Sequence, residues 1–540
     1  MSRFIGIRHR VKKTAGGEAR PTLLHVLETG KTHELEDDNA ELDWVRGTFP
    51  TAWRPIKEDD DLSEINLRHL KWRTVRKTDD VSQVDPARLR TVKGKRQIAI
   101  KIPSAFDGLR KGDVIAMSLG GSGDRLAFAL SKTAEEVGAT VLRLPPATLK
   151  ERRRGEEKAH DAQLLAELAR EEPNLFHEVT TVSRTIIMVR ERQSRRMDAM
   201  KARIACEQRL RQTFIGQVFC TDGAFDELDI EAKFTAMKAS DRILGVLVDE
   251  EKARIKELDR AVKSTGVWKH ILDDVTGVGP AIAGRLISAI GNIERFMVEP
   301  DQRVMDELYQ RSVRLEREGD FEGHKQYVKQ GDSNFQTLQR AASWCTKNSR
   351  PVQAVLLEEA VECHRERSQL RHKARKKGQA KLKAFCGVHL VVSAECTSCL
   401  RRFSESAMQI KGTDKFRTDC PACGGAIHWK GVLPRNTKGR VSNWHPDARQ
   451  ALYLLSKEQF VRQKDRTRWG KMLLEYKRKL RVKHPEPVQA GERLLWTNGM
   501  VHSTACWKTA TKFTEWLYDQ WSELARKQKL AAARARARRQ

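Results

Sequence analysis

The chain has 540 residues, with 101 lysines and arginines against 72 aspartates and glutamates, a formal net charge of +29. This length predicts three or four domains, and the basic balance predicts a polyanionic partner. No apolar run approaches the roughly 20 residues that span a bilayer, and the N-terminus lacks the apolar core of a signal peptide. The composition therefore predicts a cytoplasmic, nucleoid-associated protein that binds nucleic acid and no membrane.

Short strands and helices alternate over residues 1–185. Phe4–Ile7 is the first strand candidate, and the candidates Val114–Met117 and Thr140–Leu144 flank a helix pattern over Asp124–Val137. A strand, a glycine-rich turn, a helix and another strand predict an α/β domain with a partly parallel sheet. The polar stretch from about Trp44 to Lys95 is predicted to be an irregular insertion.

The rest of the chain is predicted to be mainly helical. Apolar residues recur at helical spacing between charged residues over 186–270, which predicts a coiled coil. A second compact region, 271–525, is interrupted by a helical insertion at 301–383 and by a cysteine-rich segment at 391–430. Residues 526–540 read as a basic, low-complexity tail.

Four cysteines are arranged as two pairs, each with two residues between its thiols. They are Cys396, Cys399, Cys420 and Cys423. Two such knuckles supply the four thiolates of a closed tetrahedral zinc site, which is structural rather than catalytic. The segment 391–430 is therefore predicted to be a zinc ribbon, and its lysines and arginines suggest a contact with nucleic acid.

A glycine-rich motif lies near the start of the second compact region. Gly277 and Gly279 permit a tight turn, and Pro280 suits the first turn of the helix that carries Arg285. Such a turn can present backbone N–H groups to a phosphate, as in a helix-hairpin-helix module. The alternative is an ordinary turn in a packed core.

Acidic residues follow the strand that ends near residue 144. Glu157 and Asp161 are four residues apart, so that on a helix their carboxylates would share one face. Acids at a strand end and on a later helix are what two-metal phosphoryl transfer requires. The alternative is a solvated helix start.

The order of these signals resembles the DEDD transposases of insertion-sequence family 110, the group with the Piv invertases and the bridge-RNA-guided recombinases. The stretches that carry the resemblance are VGATVLRLPPATLKERRRGEEKAHDAQLLAELA and DDVTGVGPAIAGRLISAIGNIERF. The resemblance implies a RuvC-like (RNase H-like) domain, a coiled coil and a C-terminal transposase domain. It also implies DNA and a structured guide RNA as partners, a homo-oligomer, and Mg2+ at the N-terminal acids.

The acid set of that family is only partly present. Asp161 matches one acid, whereas Arg8, Ser118 and Lys158 stand at the other three positions. Two cations there oppose the binding of Mg2+. The resemblance also implies a nucleophilic serine in a loop of the C-terminal domain, for which Ser393 and Ser442 are the candidates.

These observations together predict a transposase or recombinase of a mobile element that cleaves and exchanges DNA strands, guided by RNA. The alternative is a catalytically inactive relative that binds RNA or DNA as an accessory factor, which the missing acids favour. A third interpretation is a zinc-ribbon repair or transcription factor.

Overall fold

The computed structural model of the protein contains two compact units, Met1–Ile187 and Met188–Gln540. The residues it describes are 2–10, 20–57, 60–63, 65–76, 79, 84–119, 121–153, 155, 157–220, 229–324, 333–389, 391–399, 401–410, 416–432, 434, 443–490 and 493–537. None of the described helices combines the length and the apolar character that crossing a membrane requires.

The first unit is a mixture of strands and helices. Its strands are β1 Phe4–Arg8, β2 Thr22–Val26, β3 Lys31–Leu35, β4 Phe49–Pro55, β5 Lys71–Thr74, β6 Leu89–Val92, β7 Lys95–Asp107, β8 Val114–Ser118, β9 Thr140–Leu144 and β10 His177–Glu178. Its helices are α1 Asp38–Arg46, α2 Asp124–Val137, α3 Pro146–Arg152 and α4 Asp161–Glu171. The predicted α/β character of this region is confirmed.

The main sheet of the first unit has the order β10-β9-β8-β1-β2-β3. Strands β1, β8 and β9 are parallel, whereas β2 is antiparallel to both of its neighbours and β10 is antiparallel to β9. The parallel strands are nearly continuous apolar runs because helices cover them. The partly parallel sheet predicted from the sequence is therefore present.

Helix α4 lies unusually close to the central strand β1. A Cβ atom built on Gly6 would lie 1.7 Å from the carbonyl oxygen of Ala162 and 2.8 Å from the backbone nitrogen of Ala166. Only a residue without a side chain fits between the strand and the helix backbone. Gly6 thereby fixes Asp161, the first residue of α4, near the end of β1.

The stretch between Trp44 and Lys95, predicted to be an irregular insertion, is regular in structure. Strands β4, β5 and β6 all pair with β7 in a second antiparallel sheet, and α1 begins before it. The hydrophobic pattern of these strands is hard to recognise in the sequence because lysine and arginine side chains, rather than apolar ones, cover the aromatic residues. Lys71 lies 4.2 Å from the ring of Trp53, and Arg90 lies 4.1 Å from that of Trp72.

The second unit is rich in helices. They are α5 Thr181–Cys220 (which starts before the unit boundary), α6 Ile230–Ser240, α7 Arg242–Lys263, α8 Pro280–Ile290, α9 Gln302–Glu318, α10 Phe321–His324, α11 Asn334–Lys347, α12 Pro351–Phe385, α13 Glu405–Met408, α14 Pro446–Leu454, α15 Phe460–Gln463, α16 Arg468–Lys483 and α17 Asn498–Ala537. The strands are β11 Val391–Cys396, β12 Arg402–Ser404, β13 Ile427–Val432, β14 Val488–Ala490 and β15 Arg493–Leu495.

Ion pairs join α5 to α7. Arg192 pairs with Glu257 on α7 at 3.2 Å, and Arg203 pairs with Glu251 at 2.5 Å. Residue numbers rise along α5 while those of the partners fall, so the helices are antiparallel.

Helix α17 is packed between α12 and α16. The aromatic rings of Phe460, Trp469, Phe513 and Trp516 form one cluster where α15 and α16 meet α17. On the other side, Gly378 of α12 leaves room for Tyr518, since a Cβ atom at this glycine would lie 1.9 Å from the tyrosine hydroxyl. The basic helices α12 and α16 therefore both have a fixed position on α17.

Candidate functional site

The four predicted cysteine ligands come together at one end of a small sheet with the order β12-β11-β13. The Sγ atoms of Cys396 and Cys423 are 3.5 Å apart, and those of Cys399 and Cys420 are 3.7 Å apart. A tetrahedron with metal–sulfur bonds of about 2.3 Å has edges of about 3.8 Å. The cluster therefore has the dimensions of a four-thiolate metal site, as the spacing predicts.

Backbone amides orient these sulfur atoms. The N–H groups of Ser398 and Cys399 donate to the Sγ of Cys396 at 3.3 and 3.4 Å, and the N–H of Ala422 donates to the Sγ of Cys420 at 3.4 Å. Such bonds stabilise thiolates and hold metal ligands in place. Gly425 closes the second knuckle, because a Cβ there would lie 2.4 Å from the Ser398 hydroxyl.

The thiols of the cluster have divergent acidities. The amide of Cys399, opposed by burial and assisted by the amide of Ser398, lowers the pKa of Cys396 to about 6. The amide of Gly425 acts in the same direction on Cys423, but the neighbouring sulfur atoms outweigh it and raise the pKa of Cys423 to about 12. Thiols this close share protons, and a bound cation would deprotonate all of them.

The glycine-rich turn precedes α8, and its two glycines have different surroundings. Gly277 has a φ of +88°, and a Cβ there would lie 2.5 Å from the Nε2 of Gln463 and 2.9 Å from the Cβ of Gln459. Gln463 also donates to the carbonyl of Thr276 at 2.7 Å. Gly277 therefore makes its close approach to the protein itself.

Gly279 is the open position of this turn. A Cβ there would meet nothing within 4 Å, and its carbonyl accepts the first hydrogen bonds of the helix that Pro280 begins. Arg285 points inward, is 8% exposed, and lies 3.9 Å from Asp447. The turn can offer backbone at Gly279 to a phosphate, whereas Arg285 is an interior residue with a counter-ion.

The predicted N-terminal acids are arranged differently from a shared helical face. Asp161 begins α4, but Glu157 is an exposed residue in extended backbone before the 3-10 turn Lys158–His160. The expectation that both carboxylates share one helix is therefore wrong, because the helix begins only at Asp161. Lys158 and His160 are exposed as well.

The carboxylate of Asp161 forms an ion pair with an arginine. Nε and Nη2 of Arg153 donate to its two carboxylate oxygens at 2.7 and 2.8 Å. The pKa of Arg8 is lowered, mainly by burial and to a smaller extent by the positive charge of Arg20, while the negative charge of Asp161 opposes this shift. Asp161 thus has Arg153 as its bidentate partner.

A second carboxylate of this region is also neutralised. Arg143 of β9, which is 3% exposed, donates from Nη1 to Oδ1 of Asp124 at 2.6 Å. The same guanidinium donates from Nε and Nη2 to the carbonyl of Ser118 at 3.1 and 3.0 Å. The strand end where the resembling family has an acid is therefore held by a buried cation. The sequence feature that could have revealed this buried cation is the lone arginine at an inward position of the apolar strand TVLRL.

These ion pairs predict that Mg2+ binds the first unit weakly. A metal would have to displace Arg153 or Arg143 and then remain beside it at a large Coulomb cost. We expect isothermal titration of the full-length protein to give a dissociation constant above about 1 mM. A tighter site that is lost in Asp161→Asn, but kept in the exposed control Asp273→Asn, would contradict this prediction.

Of the two candidate serine nucleophiles, the structure describes only Ser393. Ser393 lies in the middle of β11 rather than in a loop, is 8% exposed, and donates to the carbonyl of Phe403 at 3.4 Å. The expectation of a loop serine at this position is wrong, because residues 391–396 pair on both sides within the ribbon. Ser442 lies outside the described residues.

The positive charge is concentrated in the last third of the chain. Residues 1–350 contain 61 lysines and arginines against 55 acids, whereas residues 351–540 contain 40 against 17. The surplus of the second segment is 23 of the total of 29. A polyanion would therefore be attracted mainly to the segment that begins with α12.

Comparisons with known proteins identify no relative of this chain. No protein-family model matches it, and neither does any curated protein or solved structure.

Proposed function

We propose that this protein binds nucleic acid through its C-terminal segment and that its N-terminal unit is a scaffold rather than a metal-dependent nuclease. The observation that carries the proposal is the surplus of 23 positive charges in residues 351–540. Contacts between lysine or arginine and phosphate dominate the affinity of proteins for nucleic acid. The arginine partners of Asp161 and Asp124 support the scaffold role.

The protein's relation to the insertion-sequence family 110 transposases is part of the same proposal. An antiparallel β1-β2-β3 half followed by parallel β8 and β9 is the arrangement expected of a RuvC-like domain. The four-cysteine cluster holds structural Zn2+, since four thiolates at tetrahedral separations leave no open coordination position. The partners are DNA and a structured RNA, and the protein acts as a homo-oligomer.

An active recombinase is the second candidate, favoured by the retained order of sheet, helical hairpin and glycine turn. Sequencing of nucleic acid that copurifies with the full-length protein tests the binding role. Enrichment of one structured RNA or of element-end DNA is expected, and recovery of protein free of nucleic acid, with no affinity for added duplex, would refute it. Cleavage of supercoiled DNA with Mg2+ or Mn2+ would instead establish the recombinase.

The glycine turn offers a test in which folding and binding separate. Gly279→Val places a side chain in open space at the phosphate-facing position, so it should weaken duplex binding by about tenfold, roughly 1.4 kcal/mol, without loss of helicity. Gly277→Val should instead destabilise the turn by about 2 kcal/mol or more, through its positive φ and its collision with Gln463. Binding isotherms and thermal unfolding measure the two effects. Unchanged affinity in Gly279→Val would reduce the motif to a packing turn.

A further inference from the structure

Helix α12 changes its charge halfway along its length. Its first half contains four glutamates. This half packs against α11 in a buried apolar cluster and forms the ion pairs Arg311–Glu359 at 3.1 Å and His364–Glu316 at 2.8 Å with α9. Residues 367–385, by contrast, contain eight lysines and arginines and no acid. The second half therefore carries a charge that its own sequence does not balance.

One face of this second half is used within the protein. Ala374, Gly378 and Leu382 are buried, and Gly378 lies against Tyr518 of α17. Two cations at the edges of that face have counter-ions on α17: Arg375 lies 3.2 Å from Asp519, and Lys383 lies 2.7 Å from Glu515. These pairs fix the rotation of α12 about its axis, and so determine which side chains face outward.

The outward face is a strip of lysines. Lys373, Lys376, Lys377 and Lys381 recur at intervals of three and four residues, which places them side by side on the face opposite the buried one. All four are exposed, and among the described residues no carboxylate lies within ion-pair distance of any of them. Like charges at this spacing repel one another, so the free protein maintains the strip at a cost that an anionic partner removes.

The composition of the strip identifies the class of partner. Stacking of unpaired bases relies on exposed aromatic rings, and residues 367–384 contain no phenylalanine, tyrosine or tryptophan and a single imidazole, His372. The ammonium group of lysine is a compact point charge without the planar fork with which arginine binds in bidentate geometry, and protein–protein interfaces are depleted of lysine. We propose that Lys373, Lys376, Lys377 and Lys381 bind the phosphate backbone of a double helix, without reading its sequence. This proposal rests on the nucleic-acid-binding function proposed above and gives it a surface.

The experiment replaces the strip and compares salt dependence. The variant is K373Q/K376Q/K377Q/K381Q in the full-length protein. The probes are labelled DNA and RNA duplexes of about 30 base pairs, each in two unrelated sequences, together with their separate single strands. Anisotropy titrations over a range of salt concentrations should show that the slope of log affinity against log salt becomes shallower by about 2 to 4, up to 0.9 for each lost phosphate contact. The change should be the same for both sequences.

A matched variant removes the same charge from the helical region before α8. K201Q/K233Q/K256Q/K269Q also loses four exposed lysines, and its slope should change by less than about 1 if the strip, rather than net charge, binds phosphate. Retained zinc content and circular dichroism establish that both variants are folded. A wild-type slope in the strip variant would overturn the strip while leaving the proposed function intact. Loss of affinity for single strands alone would overturn the duplex assignment. Failure of the wild type to bind any probe would overturn both proposals.

Discussion

Protein in which Cys420 and Cys423 are both replaced by serine is expected to contain less than about a tenth of an equivalent of zinc, against about one equivalent in the wild type. Structural zinc contributes about 10–16 kcal/mol to the folding of small zinc modules, more than a three-stranded sheet of this size supplies alone. Hydrogen exchange over β11 and β13 should therefore accelerate to the rate of unfolded peptides, while α16 and α17 keep their protection.

The matched control for this experiment uses two cysteines outside the cluster. Cys206 and Cys220 are partly or fully exposed, so C206S/C220S removes the same number of thiols without removing a ligand. Atomic absorption should find zinc content unchanged in this control. Full zinc retention in C420S/C423S would show that the four thiols do not form the site.

Gly6→Ala is expected to produce the second large effect. The new methyl group would lie 1.7 Å from the carbonyl oxygen of Ala162, and a backbone atom of a helix cannot rotate away as a side chain would. Strand β1 and helix α4 must separate, at a cost of at least about 3 kcal/mol, the upper part of the usual range for overpacking. Hydrogen exchange measured by mass spectrometry should show a loss of protection of about a hundredfold or more in both elements.

The control for this substitution is Gly123→Ala in the same unit. A Cβ there would lie 3.4 Å from the Cβ of His9, an ordinary contact, so protection should change little. Normal exchange rates in Gly6→Ala would mean that α4 can shift without loss of packing energy. The position of Asp161 relative to β1 would then be adjustable rather than fixed by the glycine.

The sequence predicts best the features that depend on short spacing. The cysteine cluster follows from two-residue gaps, and the strands around Ile5 and Val141 follow from local apolar runs. The partners of Asp161 and Asp124 could not be predicted in this way. Arg153 and Arg143 are 8 and 19 residues away along the chain, and only the folded sheet brings them to the carboxylates.

Other predictions failed because the same sequence pattern is compatible with more than one structure. Ser393 follows a short apolar segment and resembles a loop residue, yet β12 and β13 pair with the strand that contains it. In the second sheet of the first unit, Lys71 and Arg90 lie over the rings of two tryptophans. A hydrophobic periodicity cannot reveal a surface whose covering atoms are the stems of cations.

Helix α12 is a single uninterrupted helix of 35 residues, which at 1.5 Å per residue is about 50 Å long. Its first half is locked into the group of helices around α9 and α11, and its second half carries the lysine strip. A duplex bound to the strip would therefore lie at a set distance, along the α12 axis, from the helices around α9 and α11. The length of α12 would thus fix the distance between the duplex and any group bound to α9 or α11. That group and the duplex would rotate together as one rigid body.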